Sequence, residues 1–350
     1  MEFGMFHEFP TLGERSHGDA FHEAMEQVDS AERWGLDAMW LAELHFAPDR
    51  SVLAAPLTIA AGIAARTSRM KIGIAVQVLP LGHPLRLAEE AATVDQLSRG
   101  RLIFGVGRSG VVRSYDAMGV PYLESRERFA EALEVIVGAW TQERFSHEGK
   151  YYRFKDVSLV PRPYQQPHPP IRMAASTGDT YAMIGRMGLP MLLSARHVNW
   201  DELAEQIRQY RAAWTESDRP GKGSVFVSVP THLAASEGAA RDEAEESVMG
   251  FYRYQARLLA DSVARAGSVA GERAARAERL RTMTYDQAIR GHTLVGTPGT
   301  VSARLKELDD ELALDGIMAE LNCGGKIPHR RVMSSLRLLC EDVQPRFRSG

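Results

Sequence analysis

The stretch Ala38-Met39-Trp40-Leu41-Ala42-Glu43-Leu44-His45-Phe46 decides the fold. Its apolar start reads as a strand buried on both faces, and polar groups follow only at its C-terminal end. In parallel α/β folds that end carries the active site, because the βα loops gather there. Glu43 and His45 are therefore candidates for chemistry, and they would equally serve as an ordinary capping pair under a loop.

The pattern repeats outward. Runs at Glu2–Phe6, Ala38–Glu43, Lys71–Val78, Leu102–Gly107, Ile171–Ser176, Met191–Ala195, Val225–Leu233 and Gly316–Leu321 read as strands. Helical stripes lie between them: Phe129, Leu133, Ile136 and Trp140; Leu203, Ile207, Tyr210 and Trp214; Val301, Leu305, Leu308 and Leu312; Val332, Leu336, Leu339 and Val343. Thr297-Pro298 has the form of an N-cap followed by proline at the first helical position, and Pro345 shortly follows the last stripe. Eight strands alternating with helices predict an α/β fold, a closed parallel (β/α)8 TIM barrel in one domain over residues 1–350. Residues 145–170 read as a hairpin followed by a proline-rich connector. Residues 261–292, rich in Ala, Arg and Glu, read either as a mobile lid or as a solvated helical insertion.

Composition narrows the function. The 350 residues carry 42 Lys plus Arg against 45 Asp plus Glu, a net charge of −3 that predicts no nucleic-acid partner. Two cysteines argue against a disulfide scaffold and fit a reducing cytoplasm. The first residues do not read as a signal peptide, and apolar runs break well short of a membrane span. The histidines lack metal-ligand spacing, and there is no G-x-S-x-G elbow.

Gly105-Val106-Gly107-Arg108-Ser109-Gly110 satisfies G-x-G-x-x-G, but it lies in the fourth βα unit, and Val111 to Gly119 do not read as an immediate helix. A dinucleotide reading is rejected. What survives is close backbone approach at the glycines and a guanidinium at Arg108 suited to phosphate, with a structural salt bridge an equal alternative. Ser176-Thr177-Gly178-Asp179-Thr180 is a second anion candidate or an ordinary N-cap. His83 before Pro84 reads as structural.

Taken together, Met1–Phe6, Trp34–Asp37, Trp40–Phe46, Val78–Pro84, Asp95–Arg101, Phe104–Arg108, Gly188–Met191 and Val295–Pro298 resemble the bacterial luciferase-like monooxygenase family, in order and spacing, almost end to end. The resemblance implies reduced FMN at the strand C-termini. Arg108, with Ser176 and Thr180, matches the phosphate-holding positions, and Ser109 and Gly110 continue that loop. Ala75-Val76 matches a pair that often forms a non-prolyl cis peptide beneath the flavin ring, near Ala42. Ser194, Ala195 and Arg196 lie where strand six approaches the ring, and residues 261–292 match the long loop covering the luciferase site.

Two departures stand out. Leu44 occupies the position of the luciferases' catalytic histidine, so that role is absent or has moved to His45. Gly107 replaces a reactive cysteine. The resemblance implies an oxidoreductase: a two-component monooxygenase supplied with FMNH2 by a separate reductase, using O2 through a flavin C4a-(hydro)peroxide to oxygenate a small apolar organic substrate. His45 is the candidate proton donor or acid–base group, and Glu43 orients a neighbour or contacts the ring. An F420-dependent hydride-transfer oxidoreductase and a non-catalytic flavin-binding protein are the alternatives. Phe6, Trp40, Phe46 and Val111 are candidate apolar contacts. Barrels of this family commonly pair through helices flanking strands two and three. Ala60, Ala61, Ala64 and Ala65 allow close approach there, so a homodimer is expected.

Overall fold

The computed structural model describes residues 1–11, 15–175, 178–196, 198–266 and 270–348. Eight parallel strands close into a barrel in strict chain order: β1 Glu2–His7, β2 Ala38–Leu41, β3 Lys71–Ile74, β4 Leu102–Gly107, β5 Ile171–Ala174, β6 Met191–Ser194, β7 Val225–Leu233 and β8 Gly316–Glu320. Closure comes from β8 against β1, where Glu2 to Met5 pair with Gly316 to Ala319. The strands are almost wholly buried, as apolar runs covered on both sides must be.

Most strands stop sooner than the sequence suggests. β2 ends at Leu41, and the Ala42 N–H then reaches His7 O at 3.1 Å. The expected strand Lys71–Val78 is interrupted at the cis peptide Ala75–Val76 and resumes as Gln77–Val78 beside β4. A short strand, Leu294–Gly296, extends the sheet beyond β7 and was not anticipated.

The longer helices are α1 His17–Trp34, α2 Pro56–Arg66, α3 Pro84–Ser98, α4 Ser125–Thr141, α5 Gly178–Met187, α6 Trp200–Glu216, α7 Glu237–Ala266, α8 Ala270–Thr282, α9 Tyr285–His292, α10 Pro298–Leu312 and α11 His329–Leu338. Side-chain caps fix several starts: Ser16 with Asp19 on α1, Asn199 with Glu202 on α6, and Thr284 with Gln287 on α9. Thr297 caps α10 ahead of Pro298, as the dipeptide predicts. The four apolar stripes face inward, with only Trp214 partly exposed. None of these helices is long and apolar enough to cross a membrane.

At the N-terminal end the barrel is filled rather than open. Trp40 is fully buried, and a Cβ on Gly4 would sit 2.6 Å from its ring; Gly73 is packed against the same indole. Arg172 lies 4.9 Å over Trp40 and pairs with Glu2 at 3.0 Å, so the buried guanidinium keeps a counter-charge. Trp40 is thus a core residue. At this tight spot a methyl group on Gly73 would overpack the barrel.

Residues 145–170 form the expected hairpin, Phe145–Glu148 against Arg153–Val157, followed by the connector. Residues 261–292 are helical in their described parts: the end of α7, then α8 and α9. These helices pack on a satellite cluster that includes Val248, Phe251, Tyr252, Leu280 and Met283. Ala60 and Ala64 are buried in the chain's own core, leaving Ala61 and Ala65 as the outward pair on α2. The small-residue face is narrower than the sequence suggests.

Candidate active site

The polar residues converge at the C-terminal mouth because each is the first polar group after a buried strand. Glu43, past β2, spends its carboxylate fully. Oε1 faces His45 Nε2 at 2.7 Å, while Oε2 accepts from Gln77 Nε2 at 2.5 Å and from the Val78 N–H at 2.8 Å. Both side chains are largely buried. With Nε2 donating to Glu43, His45 keeps Nδ1 without a partner among the described residues. Glu43 therefore acts as an orienter that fixes the imidazole and the backbone after the cis peptide. Leu44 instead packs on the core, and its N–H bonds Leu53 O at 2.9 Å.

After β4 the chain turns sharply at Ser109, whose φ of 58° lies in the left-handed region; its Oγ accepts from the Val111 N–H at 3.2 Å. Arg108 meets Ser125 Oγ at 3.4 Å, and no carboxylate among the described residues pairs with it. Contrary to expectation a short helix, Val112–Ala117, follows at once. It has no side-chain cap and only six residues, which is why its pattern escapes a periodicity reading. At Gly107 a Cβ would meet Val76 Cγ2 at 2.5 Å, so the position that carries cysteine in luciferases has no room for a side chain here.

Of the charged hub at the mouth the sequence reading names Arg196 alone, not Glu8, Arg50 or Glu320. Arg196, after β6, contacts Glu8 Oε1 at 2.8 Å and Glu320 Oε2 at 3.1 Å. Glu8 also takes a bidentate pair from Arg50, at 2.8 and 2.6 Å. All four side chains are about nine-tenths buried. Burial works against the Glu8 charge, yet Arg50 and Arg196 more than offset it and hold its carboxyl below the usual range. Glu320 goes the other way: burial, reinforced by Glu8, pushes it up to about 7 despite Arg196. Arg196 itself is held charged, because Glu320 and Glu8 outweigh its desolvation. Glu8 follows β1 and Glu320 ends β8 much as Glu43 follows β2, so the signal that finds Glu43 also exists for them.

Two cavities open at this mouth. One of about 250 Å³ is lined by Glu43, His45, Ser109, Gly110, Val111 and Arg196, among others. The structure thus brings together six of the residues singled out from sequence. Ala42, Ala75, Val76, Arg108, Thr180 and Ser194 do not line it. Ala42 and Thr180 are buried, Ser194 accepts from the Arg196 N–H at 3.3 Å, and Ser176 lies outside the described residues. Of the apolar candidates, Val111 lines this cavity, Phe6 lies beneath Arg196 at 4.5 Å, and Phe46 is exposed. His83 caps α3 without a side-chain hydrogen bond and packs edge-on to Tyr152 and Phe154.

The second cavity, of about 1240 Å³, lies between the barrel mouth and helices α7 and α8. It shares Glu8, Arg50, Arg113, Tyr254 and Leu258 with the smaller one. Arg113 donates from Nη2 to Tyr254 OH at 3.2 Å, while its Nε is buried without a hydrogen-bond partner. Nothing in the sequence marks Arg113 or the part of α7 before residue 261 as belonging to a site.

A closed parallel barrel with a buried carboxylate–histidine pair and a charged hub at its C-terminal mouth belongs to the class of α/β-barrel enzymes that act at their βα loops. The chain belongs to the luciferase-like monooxygenase family, whose model matches residues 1–314. It is 27% identical over 257 residues, 73% of this chain and 71% of the other, to the oxygenase component of the flavin-dependent trigonelline monooxygenase of Acinetobacter baylyi. A shorter stretch of 165 residues, 45% of this chain and 48% of the relative, is 38% identical to the F420-dependent glucose-6-phosphate dehydrogenase of Kineococcus radiotolerans. Among solved structures, the monooxygenase RslO1 of Streptomyces bottropensis superposes with a TM-score of 0.81 at 27% identity, covering 99% of this chain and 100% of that one.

Proposed function

We propose that this protein is a flavin-dependent monooxygenase that receives reduced FMN from a separate reductase and uses O2 to oxygenate a small organic substrate. One observation carries the reading: Glu43, His45, Ser109, Gly110 and Arg196 line one cavity, reached from the loop that bears Arg108. The residues present fit the cofactor. Arg108 has no competing carboxylate among the described residues, Gln77 Oε1 is a buried acceptor without a donor, and Leu44, Val78 and Val111 offer apolar walls to a flat ring. Arg108, with Ser109, Gly110 and the Ser176–Thr180 loop, would hold the phosphate; Ala42, Ala75, Val76 and Ser194 would border the ring.

When bound, reduced flavin supplies the two electrons with which O2 delivers one oxygen atom to substrate and the other to water. The protein's own part is positioning and proton control. Glu43 fixes His45 through Nε2, and His45 Nδ1 holds or gives the proton. Arg196 stays paired with Glu8 and Glu320, which lets charge stand at the mouth without a free cation beside the ring. Helices α7 to α9 cover the mouth and exclude water. The reading also takes residues 1–350 as one domain, acting as a homodimer in the cytoplasm.

The stretch shared with the F420-dependent dehydrogenase favours a second reading, hydride transfer with F420. Side-by-side titration of anaerobic protein with FMNH2 and reduced F420 separates the two. Tight FMNH2 binding with altered reoxidation by O2 supports the monooxygenase; binding of F420 alone overturns it.

A further inference from the structure

The larger cavity carries an excess of positive charge that the flavin does not use. None of the residues proposed to contact flavin lines it. Its floor is apolar, with Phe6, Phe251 and Leu258. Four of its five carboxylates are already held: Glu8 by Arg50 and Arg196, Glu320 by Arg196, Asp261 by Arg265 at 3.0 Å, and Glu278 by Arg281 at 2.6 Å. The fifth, Asp49, is exposed. The lining's Lys326 pairs with Glu246 at 2.8 Å.

Three arginines remain. Arg113 has a buried Nε with no hydrogen-bond partner and lies where the two cavities meet. Arg253 and Arg257 stand one turn apart on α7 at the exposed rim of the cavity, with Arg253 in the field of Glu246, and neither forms an ion pair with a described residue. The Arg113 guanidinium, with a buried unspent donor over an apolar floor and two further cations at the rim, is matched by a carboxylate on an apolar body, since the planar fork suits a carboxylate bidentately.

Resting on the monooxygenase reading, we infer that the substrate is an organic carboxylate, its acid group held by Arg113 with Arg253 and Arg257, and its apolar body directed toward the His45 pocket. This adds an acid group to the small apolar organic substrate expected from sequence.

The test titrates the full chain, with and without FMN, by calorimetry with octanoate and 3-phenylpropanoate against octanamide and 3-phenylpropanamide. The acids are expected to bind at least about tenfold tighter than the amides, the size of one charge-assisted contact. Arg113→Gln, and separately the double variant Arg253→Gln/Arg257→Gln, are expected to reduce that preference to about threefold or less while FMN affinity stays within about twofold. Equal binding of acid and amide, binding of neither at millimolar concentration, or an unchanged preference in both variants overturns the inference. So does an Arg113→Gln variant that loses FMN but keeps riboflavin, which would assign Arg113 to the flavin phosphate. If the chain binds no FMN, the flavin reading falls by itself, and the acid–amide comparison on the free chain still decides this one.

Discussion

Arg196 and Glu8, 188 positions apart in the chain, meet at 2.8 Å across the mouth of the barrel. The contact ties the end of β1 to the end of β6, and Glu320 adds β8 to the same knot. Removing Arg196 leaves two buried carboxylates short of a counter-charge. Arg196→Gln is expected to cost about 3–5 kcal/mol of unfolding free energy. Urea unfolding of the variant beside the parent chain measures it, and a loss below about 1 kcal/mol would show that the cluster is solvated.

His7 gives the protein an acid limb. Burial pushes its pKa down to about 4 from 6.5, against the hydrogen bond to Gln27 and the field of Glu8. The unfolded chain takes up a proton below about 6.5 that the folded chain refuses. The stability His7 confers is thus present above that pH and is lost as pH falls through 6.5 toward 4, by up to about 3 kcal/mol. His7→Gln is expected to flatten this fall; unfolding midpoints of both chains at pH 7, 6 and 5 read the difference.

Substitution of His45 separates binding from chemistry. His45→Ala keeps the loop, since Glu43 still has Gln77 and the Val78 N–H. FMN affinity should change by less than about threefold while oxygenation falls by about 10² or more, the usual share of a positioned acid–base group. Turnover that is unchanged removes His45 from the mechanism.

Arg108 is the phosphate group's proposed partner. Arg108→Gln should weaken FMN by about tenfold to a hundredfold and leave riboflavin nearly unaffected, because only FMN carries the charge. Fluorescence-quenching titrations with the two flavins give the ratio directly.

The barrel was legible because buried parallel strands announce themselves as apolar runs, and the Glu43–His45 pair because polarity begins where the run stops. Glu8 and Glu320 carry the same mark; only the fold reveals that Arg196 joins the two. Arg113 and the body of α7 before residue 261 could not be read at all. A six-residue helix has too few turns for a stripe, and α7 packs on a small satellite cluster with charges on most of its turns. Pairing across a mouth is a property of closure, which no local window of sequence contains.

The indole of Trp40, seated between Gly4 and Gly73, stops up the lower end of the barrel. A vessel with one opening imposes a queue. On the proposed function, flavin and substrate then share the mouth beneath α7, and the order of their entry is decided there.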